Sequence, residues 1–131
     1  MRDTETSHFW LGHFPNEKRV VEYFTEVYDD EDEDREHTPL SQFARDQGET
    51  WYDHDFMEHG FKKGAKSVED LVTGYSYSEQ WTAELARRAA EAGLTKVNTL
   101  IFISKDQIDK PRTVEGDKYS LHYLGTIKYR I

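Results

Sequence analysis

Residues 96–103 read KVNTLIFI and residues 119–131 read YSLHYLGTIKYRI, and the fold turns on these two stretches. The first is β-branched or aromatic on both faces, the make-up of a strand covered from two sides. The second alternates apolar and polar residues more clearly, with Gly125 placed as a bulge. They are expected to pair as antiparallel neighbours. The connection at 104–118, polar and carrying Pro111 and Gly116, reads as a mobile surface loop between them. A further strand is predicted near the start of the chain, where SHFWLGHF (7–14) sets Phe9 and Leu11 on one face and Trp10 on the other.

Helical spacing fills most of the interval. Asn16 is placed to cap a helix running to about Tyr28, with Val20, Phe24, Val27 and Tyr28 along one face and Glu17 suited to the positive end of its dipole. Thr38 as a cap, Pro39 in the first turn, Leu40, Phe43 and Ala44 inward and Gly48 as a stop describe a short second helix. Ser67 with Asp70 forms a capping box ahead of Val68, Leu71 and Val72, ending at Gly74. A longer helix from Ser78 to about Ala92 aligns Trp81, Leu85, Ala89 and Ala92, sets Glu84 four residues before Arg88, and stops at Gly93. Residues 51–61, WYDHDFMEHGF, fit neither period and stay open between a strand and a helical turn. The order strand, helices, strand, strand predicts one α+β domain over residues 1–131, a small, largely antiparallel three- to four-stranded sheet with helices packed on one face.

Composition narrows the function classes. A chain of 131 residues with 14% aromatic content can bury one core of ordinary size. With no cysteine, disulfides, thiolate metal sites and cysteine nucleophiles are excluded. The start, MRDTETSHFW, lacks the basic flank and apolar run of a signal peptide, and no run of about 18 apolar residues occurs, so a cytoplasmic protein without a membrane partner is expected. The net charge of −9 is uneven: residues 1–60 hold 5 basic and 17 acidic side chains, residues 61–131 hold 12 and 9. An acidic half repels phosphate backbones, which argues against a nucleic-acid partner, and attracts a basic protein.

The densest group able to hold a metal is Asp53, His54, Asp55, Glu58 and His59. Its spacing is neither HExxH nor HxxEH, the patterns that set two imidazoles on one helical face beside a general base, and no cofactor is expected. A small metal-dependent hydrolase using these five residues is the alternative reading. His8, His13 and His122 fall on predicted strands among aromatics, where a neutral, hydrogen-bonded imidazole is the ordinary outcome. Neither a GxSxG turn nor a phosphate loop occurs.

The run DDEDEDRE (29–36) reads either as a solvated loop or as a docking surface. As a surface, Asp29, Asp30, Glu31, Asp32, Glu33, Asp34 and Glu36, with Asp53, Asp55 and Glu58, would face the basic cleft of a partner such as a nuclease and steer association. Trp10, Phe43, Trp51, Tyr52 and Phe56 are assigned to the core or scaffold, with Trp51 and Tyr52 as anchors if exposed.

HFWLGHFPNEKRVVEYF (8–24) and, past the acidic run, LSQFARDQGETWYDHDFMEHGF (40–61) resemble the immunity protein 22 family of bacterial polymorphic toxin systems. The resemblance implies a small α+β antitoxin without catalytic activity that binds the C-terminal domain of a cognate toxin in the cytoplasm; a tight one-to-one complex that blocks the toxin is the expected mode. The resemblance also implies that the toxin is often a nuclease delivered by contact-dependent growth inhibition or a related route.

Overall fold

A computed structural model describes residues 3–27 and 39–131. Its centre is β1 (Thr4–His13), the strand whose run from Ser7 to Gly12 is buried without interruption. A strand that is apolar on both faces loses least when neighbours occupy both edges, and β1 has them. It pairs antiparallel with β3 (Thr99–Ser104) on one edge and β5 (Ser120–Arg130) on the other. β2 (Met57–Phe61) and β4 (Val114–Glu115) complete a five-stranded antiparallel sheet of order β2-β3-β1-β5-β4. The expected direct pairing of the 96–103 and 119–131 stretches is therefore wrong: β1 lies between them, with Trp10 opposite Ile101 on one side and Tyr123 on the other.

Two further expectations change with it. The sheet has five strands, because the unassigned 51–61 stretch supplies a short turn (His54–Phe56) followed by β2, and the 104–118 connection supplies β4. That connection is also pinned at several points. Ile108 is buried, the Arg112 carbonyl accepts from Trp10 Nε1 (3.0 Å) and Gln47 Nε2 (3.1 Å), and Arg112 N donates to Gln47 Oε1 (2.7 Å).

Helices cover both faces. α1 (Glu17–Phe24) and α2 (Gln42–Asp46) close a core with Trp10, Phe14, Tyr52, Ile101, Ile103 and Leu121. α3 (Val68–Val72) and α4 (Ser78–Glu91) close another with Phe9, Leu11, Leu100, Phe102, Leu124 and Ile127. Placing helices on one face only was inconsistent with the alternation already legible in SHFWLGHF, since Phe9 and Trp10 cannot both reach the same core.

β5 serves both cores through one irregularity. The register against β1 shifts between His8 and Trp10, opposite Gly125, whose φ of +92° favours glycine. Tyr123 and Leu121 then face the α1/α2 core while Ile127 and Tyr129 face the α3/α4 core, although all four positions are odd. Arg88 Nη1 spans the bulge, donating to the carbonyls of Leu124 (2.9 Å) and Thr126 (2.8 Å).

The caps at Asn16 and Ser67 form as expected, each side-chain oxygen accepting a backbone N–H three residues on. The second helix is capped by Ser41, whose Oγ accepts from Ala44 N, and it begins three residues later than expected; Thr38 and Tyr28 lie outside the described residues. α4 has no side-chain cap, since Tyr77 before it adopts a left-handed φ of 60°, and Ala92 is exposed beyond its last turn.

Candidate interaction face

α1 ends at Phe24, and the chain leaves the helix at Thr25, whose backbone is extended. Val27 N donates to the Leu40 carbonyl (2.8 Å) and Leu40 N to the Thr50 carbonyl (2.8 Å). These two bonds link residues flanking the acidic run to each other and to the start of the segment carrying Trp51, Asp53 and Asp55. Asp29, Asp30, Glu31, Asp32, Glu33, Asp34 and Glu36 themselves lie outside the described residues.

Beyond Thr50 the next two side chains turn opposite ways. Tyr52 turns inward, is 1% exposed and shares a hydrogen bond with Ser41 Oγ (3.1 Å). Trp51 turns outward and is 58% exposed. Asp53 then starts the His54–Phe56 turn. Its Oδ1 accepts from Asp55 N (3.0 Å), and its own N–H is held by Gln107 Oε1 (2.8 Å). Phe56 leaves this turn exposed. Of the five aromatics assigned to the core, Trp10, Phe43 and Tyr52 are buried there, whereas Trp51 and Phe56 stand on the surface. The Trp51-Tyr52 pair carried the signal: in an extended segment only one of two adjacent aromatics can face a single core.

The five residues of the metal alternative do not converge. His54 sets Nδ1 3.1 Å from Glu26 Oε1 and Nε2 3.4 Å from Asp55 Oδ1, on the outer surface. Glu58 Oε1 accepts from Ser76 N (3.3 Å), toward the α3/α4 side of the sheet. His59, next along β2, lies on the other side with its ring stacked on Phe24 at 4.1 Å. Partial desolvation against Phe24 lowers the His59 pKa. Successive β2 side chains on opposite faces cannot enclose one ion, and no group of three or more His, Asp or Glu among the described residues could hold one.

His8 behaves as the strand histidines were expected to. Nε2 lies 3.1 Å from the carbonyls of both Lys105 and Ile108, which fixes it as the N–H donor, and Nδ1 accepts from the Tyr123 hydroxyl (2.8 Å). Burial lowers its pKa against the smaller opposing pull of the two carbonyls.

Two concavities lie near the face. A recess of about 370 Å³ is walled by Phe14, Tyr23 and Tyr119 with Arg19, Glu22, Gln42 and Asp117 around it. Behind it, the hydroxyls of Tyr23 (2.7 Å) and Tyr119 (2.6 Å) both donate to Asp46 Oδ2, and Gln42 donates to Oδ1 (2.9 Å). Burial first, then the carboxylate, pushes both phenols well above the usual tyrosine range. This carboxylate is saturated by its own neighbours and ties α2 to α1 and to the strand that follows β4. A shallower recess of about 430 Å³ is lined by Val27, Pro39, Ser41 and Arg45, at the base of the acidic stretch.

The molecule is a small α+β protein with an open antiparallel sheet, carrying an outward face of carboxylates and aromatic rings. The family model described as Immunity protein 22 matches residues 8–130, and the chain belongs to that family. The match covers nearly the whole chain and so includes the C-terminal strands beyond the motifs at 8–24 and 40–61. No solved structure and no curated protein was found to match the chain. Immunity proteins act as antitoxins that bind a cognate toxin, so the family gives this chain a protein partner. No helix among the described residues is long and apolar enough to cross a membrane.

Proposed function

We propose that this chain is the antitoxin of a toxin domain acting on nucleic acid, and that it forms a tight one-to-one complex in the cytoplasm which occludes the toxin's basic, phosphate-binding cleft. A nuclease needs Lys and Arg for phosphates, and a plug of carboxylates competes for the same groups without copying the substrate. The observation that supports this reading is the tie between Val27, Leu40 and Thr50, which joins residues flanking the acidic run to the segment that leads to Asp53 and Asp55. Asp29, Asp30, Glu31, Asp32, Glu33, Asp34 and Glu36, with Asp53 and Asp55, form the docking set. Glu58, turned toward Ser76 across the sheet, is at its margin.

The test is co-expression with the toxin-like C-terminal domain encoded immediately upstream, followed by calorimetry and association kinetics on the purified pair. Rescue of growth with nanomolar one-to-one binding, about −12 kcal/mol, is the expected result. Association should slow by at least tenfold, roughly, between low and high ionic strength. Rescue with salt-independent association would leave the antitoxin role standing and remove the acidic steering. Absence of both rescue and binding would refute the pairing.

A further inference from the structure

Among the described residues the large apolar side chains exposed to solvent are Val21, Val27, Trp51, Phe56, Tyr77 and Ile131. Tyr77 lies against Tyr129 with ring centres 5.6 Å apart, Val21 sits on the outer side of α1, and Ile131 is the last residue. Val27, Trp51 and Phe56 are different. Val27 is joined through Leu40 to Thr50, the residue before Trp51, and Phe56 closes the turn that Asp53 opens.

Glu26 adjoins Val27 in the chain, Asp53 and Asp55 lie between Trp51 and Phe56, and His54 bridges Glu26 to Asp55. An apolar centre ringed by charge is the anatomy of a protein interface, where a few large side chains resist dissociation and the rim governs approach. The chain's other two tryptophans, Trp10 and Trp81, are fully buried. Trp51 is thus a large indole held outward by the inward turn of Tyr52, next to the Leu40–Thr50 hydrogen bond.

We infer that Trp51, flanked by Val27 and Phe56, is the anchor of the toxin interface and receives an arginine or lysine from the rim of the toxin's basic cleft. The cation lies over the indole face while its charge meets Asp53 or Asp55. This inference rests on the antitoxin reading and divides labour within it, with the carboxylates setting the association rate and Trp51 the dissociation rate. The occupant is fixed by charge: a surface complementary to an indole among carboxylates must present both apolar area and cations.

The experiment uses the full chain labelled with 5-fluorotryptophan, titrated with the unlabelled upstream toxin domain and followed by fluorine NMR. Of the three resonances, Trp51 should shift on binding and lose its solvent isotope effect, while those of Trp10 and Trp81 stay in place. In parallel, Trp51→Ala should raise the dissociation rate at least about tenfold with association changed less than twofold. Asp53→Asn with Asp55→Asn should slow association more than Trp51→Ala does, and raise the dissociation rate by less than Trp51→Ala does. If the wild-type chain binds the domain while the Trp51 resonance keeps its solvent exposure and Trp51→Ala dissociates normally, the anchor is refuted and the antitoxin reading stands. If the wild-type chain does not bind, both fall. A Trp51 shift that follows the chain's own concentration without toxin would identify a self-association surface and overturn the inference.

Discussion

Under α4, Phe9 is stacked on Phe102 at 5.1 Å and meets Trp81 at 4.9 Å, and the surrounding side chains are mostly aliphatic. Under α1 and α2 the packing is threaded with polar links: His8 to Tyr123, Ser41 to Tyr52, Trp10 and Gln47 to the Arg112 carbonyl, and Tyr23 and Tyr119 to Asp46. The first side depends mainly on burial, which demands little direction, with a few links such as Ser7 Oγ to the Tyr129 hydroxyl (2.8 Å) and Trp81 Nε1 to the Ser76 carbonyl (3.0 Å). The second side must satisfy each buried donor and acceptor. The polar side is also the one that holds the base of the acidic stretch and orients Trp51 outward. The difference teaches that one half of the molecule is a support and the other a positioning device.

The contrast breaks most severely at Trp81. Trp81→Ala removes a fully buried indole from the apolar side and should cost about 3–5 kcal/mol in denaturant unfolding, without altering the toxin dissociation rate of the molecules that remain folded. Gly12→Ala strikes the strand that both sides share. A Cβ there would lie 2.3 Å from the Ser120 carbonyl oxygen, a backbone atom that cannot rotate away, and a loss of about 2–3 kcal/mol is expected.

Tyr23→Phe tests the polar side. It removes one of two hydroxyls on Asp46 and should cost about 1–2 kcal/mol, with Tyr119 still holding the carboxylate. Acidification tests it without mutation. The unfolded chain takes up a proton at His8 near the ordinary value of 6.5, while the buried imidazole, its pKa lowered, does not until a lower pH. The unfolded state then binds more protons, so stability is complete above pH 6.5 and falls as pH drops toward the folded pKa, by at most about 1.4 kcal/mol per unit. Thermal melts from pH 7.5 to 5 on the wild type and His8→Gln check this, the variant showing the shallower slope. The smallest effect belongs to Trp51→Ala, which should shift stability by no more than about 0.5 kcal/mol while changing binding far more.

The elements that sequence reasoning found are those whose cause is local. The Asn16 and Ser67 caps, the Trp81-Leu85-Ala89 stripe, the alternation of Phe9, Trp10 and Leu11 and the Gly125 bulge all follow from spacing and side-chain chemistry within a few residues. What escaped it was set at a distance. The insertion of β1 between β3 and β5 is decided by which strand gains most from having two neighbours. The anchoring of 104–118 depends on Trp10, Gln47 and His8, remote in sequence. At the candidate face, the acidic residues were legible by composition. The outward turn of Trp51 depends on Tyr52 finding Ser41, a partner that only the fold supplies.

The hydrogen bond from Val27 N to the Leu40 carbonyl has a thermodynamic consequence for how such a protein can diversify. It joins positions on either side of the acidic run, and the entropy of closing the segment between two such points varies only slowly with its length. Doubling the length of a closed segment costs only about 0.6 kcal/mol. The stretch from Val27 to Leu40 can therefore be lengthened, shortened or rewritten with little penalty to the sheet beneath it. On the docking proposal above, a change of partner made through the acidic run would leave the core as it is.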